Sequence, residues 1–599
     1  MNELTTVERK TLEMIVLRFA EEPFGAEALE RAFPGRVTGF EAELGLERLR
    51  ARGIVETRRK AWGETIHALA PGLFADWQGY YLTALGEPCL LDDAAVEPNY
   101  EPKAGFAKLL LFFLADVANV GIGLTQKGTF AKKDAMRLAT RVDVAEESLA
   151  GLDIAYLHQD KLGKPLAVLY DAALRLGLVR NGASALELDR ERVDAWLAKP
   201  LPDIEAELRA LWWDVYTPSD VWLQHGGAAL RRMPPGRWFA VDRAADGLLA
   251  AGVPTGGRTE DEAREAIARH WLRPLAAFGF AELGSSEEGL AARMTAPLDI
   301  DEEETGWYVQ PDFELIVPPT APFRSRWELE ACAEYAGGDA VDRYRITKAS
   351  WERALASGRD AEALLEVVRS GARYGVPEPV EAALRQWSAA YGALTLEDVT
   401  LLRCRNAEDA AYLKAEPSLS ECFVAQIGEL DFIVRRSMTK TLADALKRQG
   451  FSLRAGGSAA DAASNAEDAG EAPARGRSAA PGASAGGIVH SRRNAALFPL
   501  DPAPAGTKPL RERLSAAPQA WLRSMRKYHA STVRDLMETA IDARTSVRLV
   551  MDGREVELVP KRVMPAGTDW IVQGYIDGEE TTVASSACGE AQLLVPEQA

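Results

Sequence analysis

The stretch Gly252-Val-Pro-Thr-Gly-Gly257-Arg258-Thr259 sets glycines where backbone N–H groups could cradle a phosphate. Such a cradle also needs a lysine to reach the β and γ phosphates, and Arg258 stands in its place. Thr259 and Glu262 fit a capping box, so the stretch reads as a loop entering a helix. Asp261-Glu262-Ala263-Arg264 has the composition of the acidic box of ATP-driven motors, but that box ends a buried apolar strand and the residues before it here are polar; it reads as helix surface. The six histidines include no ligand-spaced pair and the five cysteines no Cys-x-x-Cys. His-Glu-x-x-His and acidic calcium loops do not occur. The expectation is a protein with no enzymatic activity, metal or cofactor.

Cations carry the remaining chemistry. Arg48, Arg50 and Arg52 lie at the end of a helical stretch, and Arg58, Arg59 and Lys60 at the tip of the hairpin after it, against Glu56. On a recognition helix and wing these groups would meet the major groove and its flanking phosphates. A solvated face on a protein-binding module is the other reading, because Glu41, Glu43 and Glu47 share the helix. Lys127, Lys132, Lys133, Arg137 and Arg141 form a second basic patch, from which Lys132 and Lys133 are expected DNA contacts. Arg324, Arg326 and Trp327 follow the stop Pro318-Pro319, where a cation pair and a ring could engage phosphate and an unstacked base; Trp327 equally suits a core. Arg523, Arg526, Lys527 and Arg534 read as ordinary helix solvation.

The elements that must hold these groups follow from periodicity. Thr5-x-x-Glu8 starts a helix whose apolar face is Leu12, Ile15, Val16 and Phe19. Helices over Ala26 to Ala32 and Thr38 to Arg52 follow, the last closed by Gly53, then two short strands. Three helices and a basic hairpin predict a winged helix over residues 1–100. The helix-Gly-strand junction recurs at Gly177 and Gly279, predicting winged-helix-like domains over 101–200 and 201–298, with Pro274 kinking or breaking a helix of the last. Around Pro311-Asp312 two β-rich runs predict a hairpin opening an α+β domain over 299–454, with helices from Arg324 to Tyr335, Lys348 to Ser357, Ala361 to Ser370 and Pro377 to Ala389. Residues 455–508 are Ala, Gly, Ser, Pro and Asp with few large apolar groups, the composition of a disordered linker. Residues 509–599 predict a helix from Trp521 to Ala543 and a small β-barrel-like domain with turns at Asp552-Gly553, Gly567-Thr568 and Asp577-Gly578. The fold class expected is multi-domain, mainly α with α+β.

A length of 599 residues suggests about four domains. With 47% apolar and 27% charged residues, wholesale disorder is excluded. Seventy basic against 89 acidic groups leave a net charge of −19, which argues against coating nucleic acid with the whole surface and requires charge to be read locally. The N-terminal stretch carries Glu8, Arg9, Lys10 and Glu13, and the apolar run Leu109 to Ala115 stops at Asp116, so the expectation is a cytoplasmic protein without membrane contact.

Trp307-Tyr-Val-Gln-Pro-Asp-Phe-Glu-Leu-Ile-Val-Pro-Pro319, followed by Tyr344-Arg-Ile-Thr347, Ala354-Leu-Ala-Ser-Gly358, Val376-Pro377, Trp387 and Leu442 to Phe451, resembles the N-terminal domain of XPB-type DNA helicases. Asp312-Phe313 occupies a turn where many members place a polar residue and glycine. The resemblance implies a DNA damage-recognition element, similar in fold to the mismatch-recognition domain of MutS. The two motor lobes of that family have no counterpart here, and the chain looks like stand-alone bacterial helicase-associated proteins. Val556 to Val563, Asp569 to Gly574 and Leu593 to Pro596 weakly resemble a WYL-type module that binds ligands or nucleic acid. The expectation is a non-catalytic DNA-binding accessory of a helicase or repair machine, with duplex or distorted DNA and a helicase or other repair protein as partners. One alternative is a winged-helix transcription regulator with a WYL-like ligand-sensing domain; another is a cryptic ATPase using Gly257 and Arg258.

Overall fold

The computed structural model describes residues 4–453, 487–490, 498–501 and 510–595, apart from 33–34, 36, 84, 101–104, 298–304, 339–340, 393–398, 552 and 568. Most of the linker expected over 455–508 lies outside the described residues. The chain divides into two compact units, Met1–Val380 with Ser484–Ala599, and Glu381–Ala483.

In the first unit one pattern is built three times. Helices α1 (Thr6–Phe19), α2 (Ala26–Ala32) and α3 (Gly39–Ala51) precede the hairpin β1 (Val55–Arg59) and β2 (Thr65–Leu69). Thr5 and Thr38 start α1 and α3 with capping boxes closed by Glu8 and Glu41. Gly45 lets α3 cross α1, since a Cβ there would fall 2.1 Å from the Thr11 hydroxyl. Phe24 exchanges both backbone bonds with His67 and adds a short third strand. After α4 (Phe74–Tyr81) and β3 (Glu97–Tyr100), the second copy runs α5 (Phe106–Asn119), α6 (Lys132–Val142), β4 (Ala155–Tyr156), α7 (Lys164–Arg175), β5 (Val179–Asn181) and β6 (Leu186–Leu188). Helices α8 (Arg190–Leu197) and α9 (Leu201–Tyr216) lead to the third: α10 (Val221–Arg232), β7 (Phe239–Ala240), α11 (Val241–Ala250), α12 (Glu260–Ile267), α13 (Arg273–Ala277), β8 (Ala281–Ser286) and β9 (Gly289–Met294).

The third helix of every copy closes by the same bonds. Gly53, Gly177 and Gly279 have φ of +71°, +69° and +76°. The next residue's N–H then reaches five residues back: Ile54 to Leu49 O (3.0 Å), Leu178 to Ala173 O (2.9 Å), Phe280 to Leu275 O (2.8 Å). Pro274, which cannot donate a helical bond, is absorbed by a π turn over Ala268–Leu272 that separates α12 from α13.

Next come β10 (Tyr308–Val309), β11 (Glu314–Val317), α14 (Phe323–Cys332), β12 (Glu334–Gly338), β13 (Asp342–Arg345), α15 (Lys348–Ala356) and α16 (Ala361–Ser370), with an antiparallel sheet ordered β10-β11-β13-β12. The expected hairpin is present, Tyr308 opposite Ile316. At its turn Phe313 holds φ +69°, a conformation that glycine adopts more readily. The helix expected to Tyr335 stops at Cys332, because Tyr335 pairs with Tyr344 across the sheet and its ring packs on Phe112 with centroids 4.8 Å apart.

The single domain expected over 299–454 is divided at Val380 and Glu381. Its first part packs on the second copy through Tyr335 and Phe112, and on α8, where the Phe323 ring lies 5.7 Å from Trp196. Helix α17 (Glu378–Ala390) crosses the division. The second unit contains β14 (Thr400–Arg403), α18 (Ala407–Ala415), α19 (Pro417–Ser420), β15 (Phe423–Ile427), β16 (Asp431–Val434) and α20 (Thr439–Arg448). Its sheet order is β14-β16-β15, over a core that includes Leu413, Leu419, Phe432, Leu442 and Leu446.

The chain returns to the first unit at β17 (Val489–His490), then α21 (Leu510–Arg513), α22 (Gln519–Arg523), α23 (Ala530–Ala543), β18 (Val547–Met551), β19 (Arg554–Ala566), β20 (Asp569–Ile576), β21 (Glu579–Ala584) and β22 (Ala591–Leu593). The helix expected from Trp521 to Ala543 is broken between Arg523 and Ala530, where the His529 side chain accepts from Ser531 N and caps α23. The sheet runs β21-β20-β19-β18-β22 and stays open, because its edge strands β21 and β22 do not pair; the barrel-like closure expected is not formed. Among the described residues no helix is long and apolar enough to cross a membrane.

Candidate nucleic-acid interface

Helix α3 and the β1–β2 hairpin bring the first cation group to one end of the first copy. Val55 and Thr57 point inward from β1, and Glu56 and Arg58 point outward. Five of the six cations have a partner, and the buried Arg50 Nε has none. Arg48 Nη1 donates to the Thr5 hydroxyl at 3.4 Å, and Arg52 Nε to Glu8 at 2.8 Å. Arg58 pairs with Glu56 at 2.6 Å, Arg59 with Asp501 at 2.8 Å, and Lys60 with Glu64 at 2.9 Å. Lys60 also stands 5.4 Å over the ring of Trp62, which is 70% exposed at the tip. Hydrogen bonds from Lys60 and Trp62 hold the Glu64 carboxyl below its ordinary range. Beneath the hairpin, burial and then the nearby Arg50 charge push the His67 imidazole down to about 4.

The expectation that α3 itself faces a groove is corrected. Before Ala51 no residue of α3 is exposed. Phe40 belongs to the apolar core of the C-terminal sheet domain and its N–H donates to Arg544 O at 3.0 Å. Glu43 pairs with both Arg513 and Arg544. The hairpin and the last turn of the helix are what remains for a ligand.

Residues 498–501, expected as linker, lie along the open edge of β1. Arg59 N donates to Pro499 O (3.1 Å) and Asp501 N to Thr57 O (2.9 Å). Arg58 Nη1 donates to Phe498 O at 2.8 Å. Further upstream, Val489 N donates to the Asp171 carboxylate at 2.7 Å, and β17 pairs with β4.

The remaining sites separate. Lys132 and Lys133 are exposed at the first turn of α6. On the same helix Arg137 and Arg141 turn inward to Asp116, and Arg141 alone also reaches Glu330, tying the second copy to α14. Burial pushes the Glu330 carboxyl up despite the Arg141 charge. Arg324 pairs with Asp194 and is half exposed. Arg326 is 1% exposed, pairs with Asp342 at 2.5 Å and donates to Pro318 O at 2.5 Å, so it is withdrawn as a phosphate contact. Burial pushes the Asp342 carboxyl up, but Arg326 and Lys108 together outweigh it and hold the group below its ordinary value. Trp327 is half-buried against the main core, the second of its two readings. The three sequence residues thus form no common surface.

Sequence reasoning missed a group that the structure does assemble. Tyr374 is 81% exposed, its ring centroid 5.6 Å from that of Tyr308, with Arg373 5.9 Å over the Tyr374 ring. Arg373 Nη1 donates to the Tyr308 hydroxyl at 3.1 Å. Two backbone bonds fix the loop, Trp307 N to Gly371 O (2.8 Å) and Arg373 N to Trp307 O (2.9 Å). The only sequence signal was the triplet Arg373-Tyr374-Gly375 in an otherwise helical stretch. At the phosphate-loop-like stretch, Arg258 is tied to Asp220 at 2.6 Å and Thr259 caps α12, as the capping-box reading expects.

No curated protein matches the chain. Residues 307–428 match the family model of the helicase conserved C-terminal domain. The match begins at Trp307, takes in the whole β10–β13 sheet and the loop of Tyr374, and stops short of Leu453; this part of the chain is a helicase-related domain.

Proposed function

We propose that the protein is a DNA-binding accessory of a helicase or DNA-repair machine, without nucleotide turnover of its own. The helicase-related match over 307–428 carries this reading. In it, the three repeated modules are winged helices, and the matched stretch is an XPB-type damage-reading element. The first module's hairpin supplies phosphate contacts through Arg58, Arg59 and Lys60, with Arg48 and Arg52 behind it and Lys132 and Lys133 as a secondary contact. Tyr308 and Tyr374 offer ring faces to unpaired bases, with Arg373 adding charge. The open C-terminal sheet is a WYL-like module that docks on α3.

Binding of the full chain to duplex DNA across a salt series tests the reading. Replacing Arg58, Arg59 and Lys60 together with alanine weakens binding to any sequence. The slope of log affinity against log salt falls by roughly 0.9 per lost phosphate contact, up to about 2.7 for three. Unchanged affinity and slope would assign this hairpin to protein binding.

A further inference from the structure

We propose that residues 498–501 are an intramolecular competitor of nucleic acid, a detachable strand that occupies the β1 edge, neutralises Arg59 and ties up Arg58 through a carbonyl. The inference rests on the DNA-binding reading of that hairpin. Three kinds of contact converge on four residues. The backbone of Pro499 and Asp501 adds a strand to β1 through the bonds at 3.1 Å and 2.9 Å, with Leu500 bridging Arg58. The Asp501 carboxylate, 4% exposed, holds Arg59, whose own side chain is still 54% exposed. The Phe498 carbonyl takes Arg58, and its ring meets Trp62 edge-on at 6.4 Å.

These are the atoms that a phosphate backbone would need. A carboxylate on a guanidinium makes the same charge-assisted bonds that a phosphate oxygen makes, so Asp501 and a nucleotide cannot both hold Arg59 in this geometry. The added strand is short and Leu500 is 55% exposed, so little apolar area holds it in place. An edge strand of this kind is held mainly by backbone bonds, which a stronger anion can displace.

The test uses the full chain, duplex DNA and three variants. Asp501→Asn removes the charge and keeps the size; it raises duplex affinity roughly three- to ten-fold and steepens the salt slope by about 0.9 per freed phosphate contact. Arg58→Ala with Arg59→Ala weakens binding, and in that background Asp501→Asn has no further effect. Hydrogen exchange gives an independent readout: in DNA-free protein the Asp501 amide is protected, and saturating duplex removes that protection. If the double arginine variant binds DNA as wild type does, the hairpin reading and the competition both fall. If it weakens binding but Asp501→Asn changes nothing, only the competition falls. An Asp501 amide that exchanges freely without DNA, or gains protection with it, also overturns the proposal.

Discussion

Several buried polar residues in this molecule are held by partners far away in sequence, and His225 shows the consequence. Its Nε2 lies 3.0 Å from Val16 O, and its Nδ1 3.0 Å from the Gln78 amide nitrogen, which also donates to the His225 carbonyl. Gln78 donates to Nδ1, so Nε2 carries the proton and the ring is neutral. Burial pushes its pKa down to about 4 from 6.5. A depressed folded value means that this contribution is complete above about 6.5 and is lost as pH falls towards 4, up to roughly 3 kcal/mol. Protonation would set a second donor against the Gln78 amide. Corrected for the intrinsic slowing of amide exchange in acid, opening at α1 and α10 is expected to increase more steeply from pH 7 to 4.5 in wild type than in His225→Gln; parallel profiles would acquit His225. None of this was legible in the sequence, where His225 was a lone histidine. Arg326 misled for the same reason: its partner Asp342 lies 16 residues on, across a strand that the sequence did not reveal.

Elements fixed by local chemistry were read correctly. Capping boxes at Thr5 and Thr259, and the closures at Gly53, Gly177 and Gly279, depend on residues within one or two turns. Elements decided by packing are missed: the expected helix runs on into Glu334 and Tyr335, the first two residues of β12, and the interruption between α22 and α23 is not expected. The covering of α3 belongs here too, since Glu43 carries no sign of being shared by Arg513 and Arg544. Glu43→Ala removes the anion that both guanidiniums use, at a cost of roughly 1–2 kcal/mol for a half-buried pair. The expected result is about ten-fold faster exchange of the Phe40 amide, which donates to Arg544 O. An unchanged rate would show that Phe40 packing alone holds the helix to the sheet domain.

For the whole molecule the three copies are unequal, and that inequality directs the DNA-binding reading. From Pro165 to Leu174, α7 is buried, and the exposed residues at the start of α12 are Glu260, Asp261 and Glu262. Neither helix suits an anionic ligand, so the first hairpin and the loop of Tyr374 are the principal places, with Lys132 and Lys133 secondary. These two places should contribute differently. Backbone charge acts on any duplex, whereas an exposed ring gains only where a base is unpaired, at roughly 1–3 kcal/mol per stacked base. At one fixed salt concentration, Tyr374→Ala is therefore expected to weaken forked or mismatched DNA by about 5- to 150-fold and to leave intact duplex unchanged. Alanine at Arg58, Arg59 and Lys60 is expected to weaken both by the same factor. Deleting the helicase-related stretch would not separate the effects, because Phe323, Trp327 and the Arg141–Glu330 pair bind it into the core of the first unit. If Tyr374→Ala shifts forked and intact DNA equally, the loop contributes no reading of distortion, and residues 307–428 would serve as a docking surface for a partner helicase.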